Sequence, residues 1–173
     1  MKEKNIICVQ RYQSPCGVLR LGAFGTRLCL CDWLLEKHCD PIDRRLKRLL
    51  HADFAEQASE VTQTAAAQLD EYFAGKRTAF DVPLLFAGTD FQQLVWNALL
   101  SIPYGQTISY GELARRIGQP KAVRAVANAN GANALSVFAP CHRVIGSDHT
   151  LTGYGGGLDA KLKLLQLEGI CMK

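Results

Sequence analysis

Apolar positions come first in short runs. "NIICVQRY" (5–12), "GVLRLGAF" (17–24) and "RLCLCDWLL" (27–35) are rich in apolar residues and parted by the turn signals "SPCG" and "GT", so they predict strands. The period then lengthens. "PIDRRLKRLLH" (41–51) and "SEVTQTAAAQLDEYFAG" (59–75) carry apolar residues at helical spacing, and the second stops at Gly75. This order describes an α+β unit, a small sheet with a helix or two. "DVPLLFAGTD" (81–90) reads as a connection, with Thr89 and Asp90 as capping candidates for the next helix, "FQQLVWNALLSI" (91–102), which Pro103 stops. Ser109 and Glu112 form the capping-box pattern S-x-x-E, predicting a helix from Tyr110 to Gly118. Pro120 suits the first position of another helix, "PKAVRAVANAN" (120–130). Two short helices joined by a glycine-containing turn predict a helix-turn-helix. "ALSVFA" (134–139) reads as a buried strand. "LDAKLKLLQLEG" (158–169) is the last helix, with Leu158, Leu162 and Leu165 as its apolar stripe and Gly169 just past its end. The expected domains are 1–87, α+β, and 88–173, mostly helical.

Composition narrows this picture. A chain of 173 residues, 48% hydrophobic and 21% charged, can bury the core of one ordinary domain or two small ones. A net charge of +4 is compatible with a polyanionic partner without requiring one. "DRRLKR" (43–48) could be a phosphate patch or a nuclear signal, and more simply a solvated helix face. No stretch approaches the ~18 apolar residues of a membrane span, and "MKEKNIICVQ" lacks the long apolar region of a signal peptide. Seven cysteines, an odd number without a secretion signal, imply free thiols in a reducing compartment, so a cytoplasmic location is expected. Cys29, Cys31, His38 and Cys39 lie close enough to raise zinc, but the spacing of the first two suits one face of a strand better than a zinc knuckle. No metal and no cofactor is expected, with that cluster left open.

The chemistry concentrates later. "FAPCHRVIG" (138–146) sets Cys141 between Pro140 and His142. Adjacency leaves four readings open: a buried small hydrophobe, a metal ligand, a redox thiol or a nucleophile. The second helix of the helix-turn-helix offers Ala122, Ala125, Ala127 and Ala129 where base-reading helices carry long side chains. Val123 and Val126 can face the core, while Arg124 and Asn128, four apart, share another face. Small residues allow close approach to nucleic acid while one arginine reaches in, which suits recognition of shape and backbone. An alanine-rich core helix is the plain alternative. Glu168 falls in the last helical turn, where a carboxylate opposes the helix dipole by about 0.3–1 kcal/mol. Either it has another duty or it is simply exposed.

"PCHRVIG", "TGYGGG" (152–157) and the terminal "LEG", with the upstream "ISYGELA" and "RAVANANGAN", resemble the O6-alkylguanine-DNA alkyltransferases over roughly residues 88 to 170. The N-terminal half, with "SPCG" and "EYFAG", fits that family's variable domain more loosely. The resemblance implies a ribonuclease H-like N-terminal domain and a winged helix-turn-helix C-terminal domain. It implies a monomer acting on double-stranded DNA that contains O6-alkylguanine, with O4-alkylthymine a further candidate. The alkyl group would pass irreversibly to Cys141 after the base is flipped out, in a single turnover. His142 would take the thiol proton through water, Glu168 would orient and polarise His142, and Tyr110 would donate a proton towards the base. Arg124 would fill the gap left in the stack, with Ala125, Asn128 and Ala129 on the DNA-facing side of the helix. Asn133 would be the hinge before the active-site segment. Ser136, Val144, Thr152, Tyr154 and Gly155 would line the pocket. Members that admit a benzyl group carry proline at the place of Ser136 and glycine at that of Thr152, so this sequence implies a narrower pocket with less apolar wall. Two other classes stay in view. A cysteine hydrolase would need His38, His51 or His149 to face Cys141. A binding module would flag the lesion without removing it, as alkyltransferase-like proteins without the cysteine do; the presence of Cys141, His142 and Glu168 favours transfer.

Overall fold

The three apolar runs pair with one another as their turn signals direct. In the computed structural model, which describes residues 5–172, β1 (Asn5–Ser14), β2 (Gly17–Phe24) and β3 (Arg27–Trp33) form an antiparallel meander. The Ser14 hydroxyl closes the first turn by donating to the Gly17 carbonyl at 2.6 Å and accepting from the Cys16 amide at 3.1 Å. Helix α1 (Glu36–Leu50) then crosses over, and β4 (Ala52–Glu56) joins parallel to β1, giving the sheet order β3-β2-β1-β4. A parallel neighbour requires such a crossover. Helix α1 starts before Pro41, which lies inside it and forgoes one helical hydrogen bond, while Ile42 and Leu46 are buried. Helix α2 (Glu60–Phe73) begins with a capping box between Ser59 and Thr62 and is followed by Gly75 at φ +75°. It lays Leu69 and Tyr72, both fully buried, over the sheet. The connection is put to use: the Leu28 amide donates to the Pro83 carbonyl and the Leu85 amide to the Leu28 carbonyl, each at 2.8 Å. These bonds satisfy the edge of β3 that would otherwise stay unpaired.

All seven cysteines are free thiols. Cys29 and Cys31 alternate with Leu30 in β3 and are buried, and burial pushes the Cys29 thiol up to about 12. The Cys39 thiol donates to the Trp33 carbonyl at 3.4 Å. The side chain of His38 lies outside the described residues.

The chain separates into two compact units, Met1–Gly88 and Thr89–Lys173. In the second, Thr89 and Gln92 form the capping box of α3 (Asp90–Leu99). Helices α4 (Tyr110–Arg116) and α5 (Val123–Gly131) make the helix-turn-helix, and the short strands β5 (Ile108–Ser109) and β6 (Val144–Ile145) pair parallel beside it. Only half of the expected capping box forms on α4. The Ser109 hydroxyl accepts from the Glu112 amide at 3.0 Å, but the Glu112 carboxylate turns to Arg115 and Arg116. Pro120 does not open α5. It lies in the turn, the helix starts at Val123, and Val123 is 38% exposed where a core position was expected.

"ALSVFA" is buried like a strand but forms a chain of turns. Asn133 accounts for this: its side chain accepts from the Leu135 amide and donates to the Ala139 carbonyl, each at 2.9 Å, so the segment's polar groups are satisfied locally. Val137 pays for the reversal with a left-handed backbone, φ +73°. The stripe expected on α6 (Leu158–Leu167) is also displaced. Leu158 is 48% exposed, and the buried face is Ala160, Lys161, Leu164 and Leu165. Gly169, at φ +83°, follows the helix as expected. Among the described residues, no helix is long and apolar enough to cross a membrane.

Candidate active site

The turns that replace the expected strand deliver Cys141 into a one-turn 3₁₀ helix, Cys141–Arg143. Its amide donates to the Ala139 carbonyl at 2.7 Å, the Asn130 amide group points at its carbonyl from 3.5 Å, and the residue is 5% exposed. His142 is wholly buried. Its Nε2 lies 2.6 Å from Glu168 Oε2, while Nδ1 has no hydrogen-bond partner among the described residues. Glu168 closes α6 and is buried, not exposed. Arg143 holds it with Nε on Oε1 at 2.8 Å and a terminal nitrogen on Oε2 at 3.2 Å, and the Gly105 amide adds a bond at 3.2 Å. The other guanidinium nitrogen donates to the Ile102 carbonyl at 2.6 Å. A forked arginine supplies the full charge that a helix C-terminus cannot, which is why a carboxylate is stable there.

These contacts fix the state of the imidazole. Burial pushes His142 below the ordinary histidine value. The hydrogen bond and charge of Glu168 pull the other way without overturning that shift, and the charges of Arg143 and Lys161 deepen it. The neutral ring donates Nε2–H to the carboxylate and keeps its lone pair on Nδ1. That is the protonation state of a base.

Lys161 is a part of the site that the residue pattern left unnoticed. It is fully buried, and Nζ donates to the carbonyls of Val144 at 2.7 Å and Thr152 at 3.2 Å. Burial pulls it down to about 8, against an opposing pull from an anionic Cys141. A signal was present: Lys161 stands three, four and seven residues before Leu164, Leu165 and Glu168, on the buried face of the helix. Arg143 adjoins the Cys-His pair in sequence and is likewise buried, paired with Glu168.

The other candidates divide. Ser136 and Val144 are buried on either side of Cys141 in sequence, and Asn133 anchors the approach to it. Tyr110 opens α4, half-buried, and its phenol oxygen accepts from the Thr152 hydroxyl at 2.8 Å. Tyr154 and Gly155 lie half-buried in the loop before α6. On α5, Arg124, Ala125 and Asn128 are exposed together. Ala129 does not share that face. It is 4% exposed, and its carbonyl accepts the Trp96 indole N–H at 2.7 Å, joining α5 to α3. His51 belongs to the other unit, and His149 lies in an exposed turn.

A helix-turn-helix with an exposed second helix, and in the same unit a buried cysteine whose neighbour His142 pairs with Glu168, define a class of protein that joins a helix-turn-helix to a Cys-His-Glu cluster. The chain belongs to the 6-O-methylguanine DNA methyltransferase family: the family's ribonuclease-like domain matches residues 7–86 and its DNA binding domain residues 90–170. A methylated-DNA--protein-cysteine methyltransferase of Methanosarcina acetivorans is 51% identical over 160 residues, covering 92% of this chain and 97% of that protein. One from Haemophilus influenzae is 53% identical over 161 residues, covering 92% and 84%. The O6-methylguanine methyltransferase of Mycobacterium tuberculosis superposes with a TM-score of 0.79 at 46% identity, covering 94% of this chain and 92% of that one. The Mycobacterium tuberculosis protein called OGT, solved in complex with DNA, gives 0.77 at 45% identity, with the same coverage.

Proposed function

We propose that this chain repairs double-stranded DNA by moving the alkyl group of O6-alkylguanine onto its own Cys141, once per molecule. The activity is that of its family, transfer from methylated DNA to a cysteine of the protein. The observation that carries the assignment to Cys141 is the adjoining base: a buried, neutral His142 with Nε2 on Glu168 and Nδ1 unpartnered. His142 takes the thiol proton, and Glu168 steadies the imidazolium that results. The thiolate attacks the alkyl carbon, a displacement that suits soft sulfur. Tyr110 gives a proton to the leaving guanine. The thioether has no inexpensive route back, so the protein is consumed.

O6 lies inside the duplex, so the nucleotide is flipped out at a cost of a few kcal/mol. Arg124 fills the gap, and Ala125 and Asn128 let α5 approach the backbone. Ser136, Val144, Thr152, Tyr154 and Gly155 line the pocket. The two functional domains are 1–87 and 88–173. The protein works as a monomer in the reducing cytoplasm, where its cysteines remain thiols.

The test is mass spectrometry after incubation with duplex DNA bearing O6-methylguanine. Wild type is expected to gain one methyl group on Cys141, while Cys141→Ala gains none and still binds DNA. Binding by wild type without any adduct would make the protein a lesion reader. A methyl group on another cysteine would overturn the assignment of the nucleophile.

A further inference from the structure

Thr152 makes a contact that neither its size nor its place in the pocket requires. Its hydroxyl donates to the phenol oxygen of Tyr110 at 2.8 Å, tying the loop before α6 to the first residue of α4. The backbone of Thr152 is itself fixed. Its carbonyl accepts from the Lys161 ammonium at 3.2 Å, and the same ammonium holds the Val144 carbonyl at 2.7 Å. A side chain of α6 therefore sets the loop, and the loop sets the phenol. A tyrosine hydroxyl has one proton and acceptor capacity on its oxygen. With Thr152 donating into that oxygen, the phenol proton is left for another acceptor.

We infer that Thr152 is a positioning residue that aims the Tyr110 proton at the leaving base and stabilises the phenol oxygen as the proton departs. The inference rests on the role proposed above for Tyr110. In the transfer step the S–C bond forms and the C–O6 bond breaks, and the electron pair of the broken bond stays with guanine. The Tyr110 proton neutralises the guanine, leaving a phenolate. The proton that His142 took from the thiol returns to the phenolate through solvent. Thiol and O6-alkylguanine thus become thioether and guanine, with no other reactant. The Thr152 bond is an ordinary one while Tyr110 is neutral and a charge-assisted one once the phenolate forms. A donor aimed at growing charge accelerates the step, whereas one that merely held the ground state would not.

The experiment is a double-mutant cycle on the first-order transfer step in the bound complex, with O6-methylguanine in duplex DNA and the Cys141 adduct as readout. Thr152→Val is expected to slow transfer about tenfold, the scale of one hydrogen bond to a charged oxygen. Thr152→Ala, which removes the donor with less bulk, should give a loss of the same order, and Thr152→Ser should regain most of the rate. DNA affinity should not account for the loss. The deciding comparison is in Tyr110→Phe, where Thr152→Val should add less than about a twofold loss, because the group it serves is gone. A full additional loss in that background would overturn the positioning role while leaving Tyr110 as proton donor. A wild-type rate in Tyr110→Phe would overturn the donor role and this inference together. Failure of wild type itself to form the Cys141 adduct would overturn the proposed function.

Discussion

Glu168 shows how one residue changes meaning between a sequence and a fold. As an exposed carboxylate opposing a helix dipole, its removal would relieve about 0.3–1 kcal/mol. The structure gives it Arg143, His142 and the Gly105 amide as buried partners, and Glu168→Gln leaves the guanidinium without its counter-charge. Breaking such a pair from one side costs roughly 3–5 kcal/mol, so the second effect dominates. Urea titration should find Glu168→Gln destabilised by that order. Its transfer rate should fall, and the rise of rate with pH should move to lower pH, because without the carboxylate the imidazolium gives up its proton more readily. A variant as stable as wild type would show that Glu168 and Arg143 do not pair as described. Lys161 gives a second prediction, and its sign needs care. The group titrates at about 8 in the fold against an ordinary 10.5, so within that window the folded state binds fewer protons than the unfolded one. The charged ammonium costs stability below about 8, and the cost disappears as pH rises through the window. Parallel unfolding measurements on wild type and Lys161→Met should therefore show wild type gaining on the variant from pH 8 to 10.5, and a flat difference below that range. A wild type that loses ground as pH rises would contradict the burial of a cation. Both residues illustrate what was legible. Cys141 and His142 stand side by side in the sequence and draw attention together. Arg143 and Lys161 did not, because charged side chains are almost always exposed, and the helical spacing that places Lys161 on the buried face is outweighed by that expectation.

Elements were legible where local chemistry decides them. The strands β1 to β3, the cap at Thr89 and the stop at Gly75 all depend on neighbouring residues. Strand β4 forms only because β1 accepts it across a whole helix, a pairing that no local pattern announces. "ALSVFA" has the burial of a strand, but one asparagine side chain takes over the backbone bonds that a strand would have exchanged with a partner. Helix α5 was legible in the main, with a later start and with Ala129 turned inward against α3. Its exposed face carries the next prediction. Arg124→Ala should slow repair of duplex DNA by roughly a hundredfold, the equivalent of the few kcal/mol that extrusion costs. Reaction with free O6-alkylguanine, which has no stack to fill, should change by less than about threefold. Equal losses on the two substrates would move Arg124 into the chemistry or the fold.

At the scale of the molecule, a net charge of +4 and a recognition helix poor in long polar side chains point to contact with phosphates more than with base edges. The logarithm of DNA affinity should fall linearly with the logarithm of salt concentration, by about 0.9 for each phosphate neutralised, and flanking sequence should matter little. Titrations at several salt concentrations against oligonucleotides of different flanks would check both; a flat salt response would exclude the phosphate account. The contact between Trp96 and Ala129 also has an optical consequence. The chain has two tryptophans, and each compact unit holds one: Trp33, 2% exposed in β3, and Trp96, 1% exposed in α3. Indole fluorescence responds to its surroundings, so Trp33→Phe leaves an emission that reports the seat of α5 on α3 alone. Trp96→Phe leaves one that reports only the sheet. Unfolding followed through the two variants separates the loss of each unit without any attached dye, and DNA-induced shifts in the emission of Trp33→Phe come from the unit that carries Cys141.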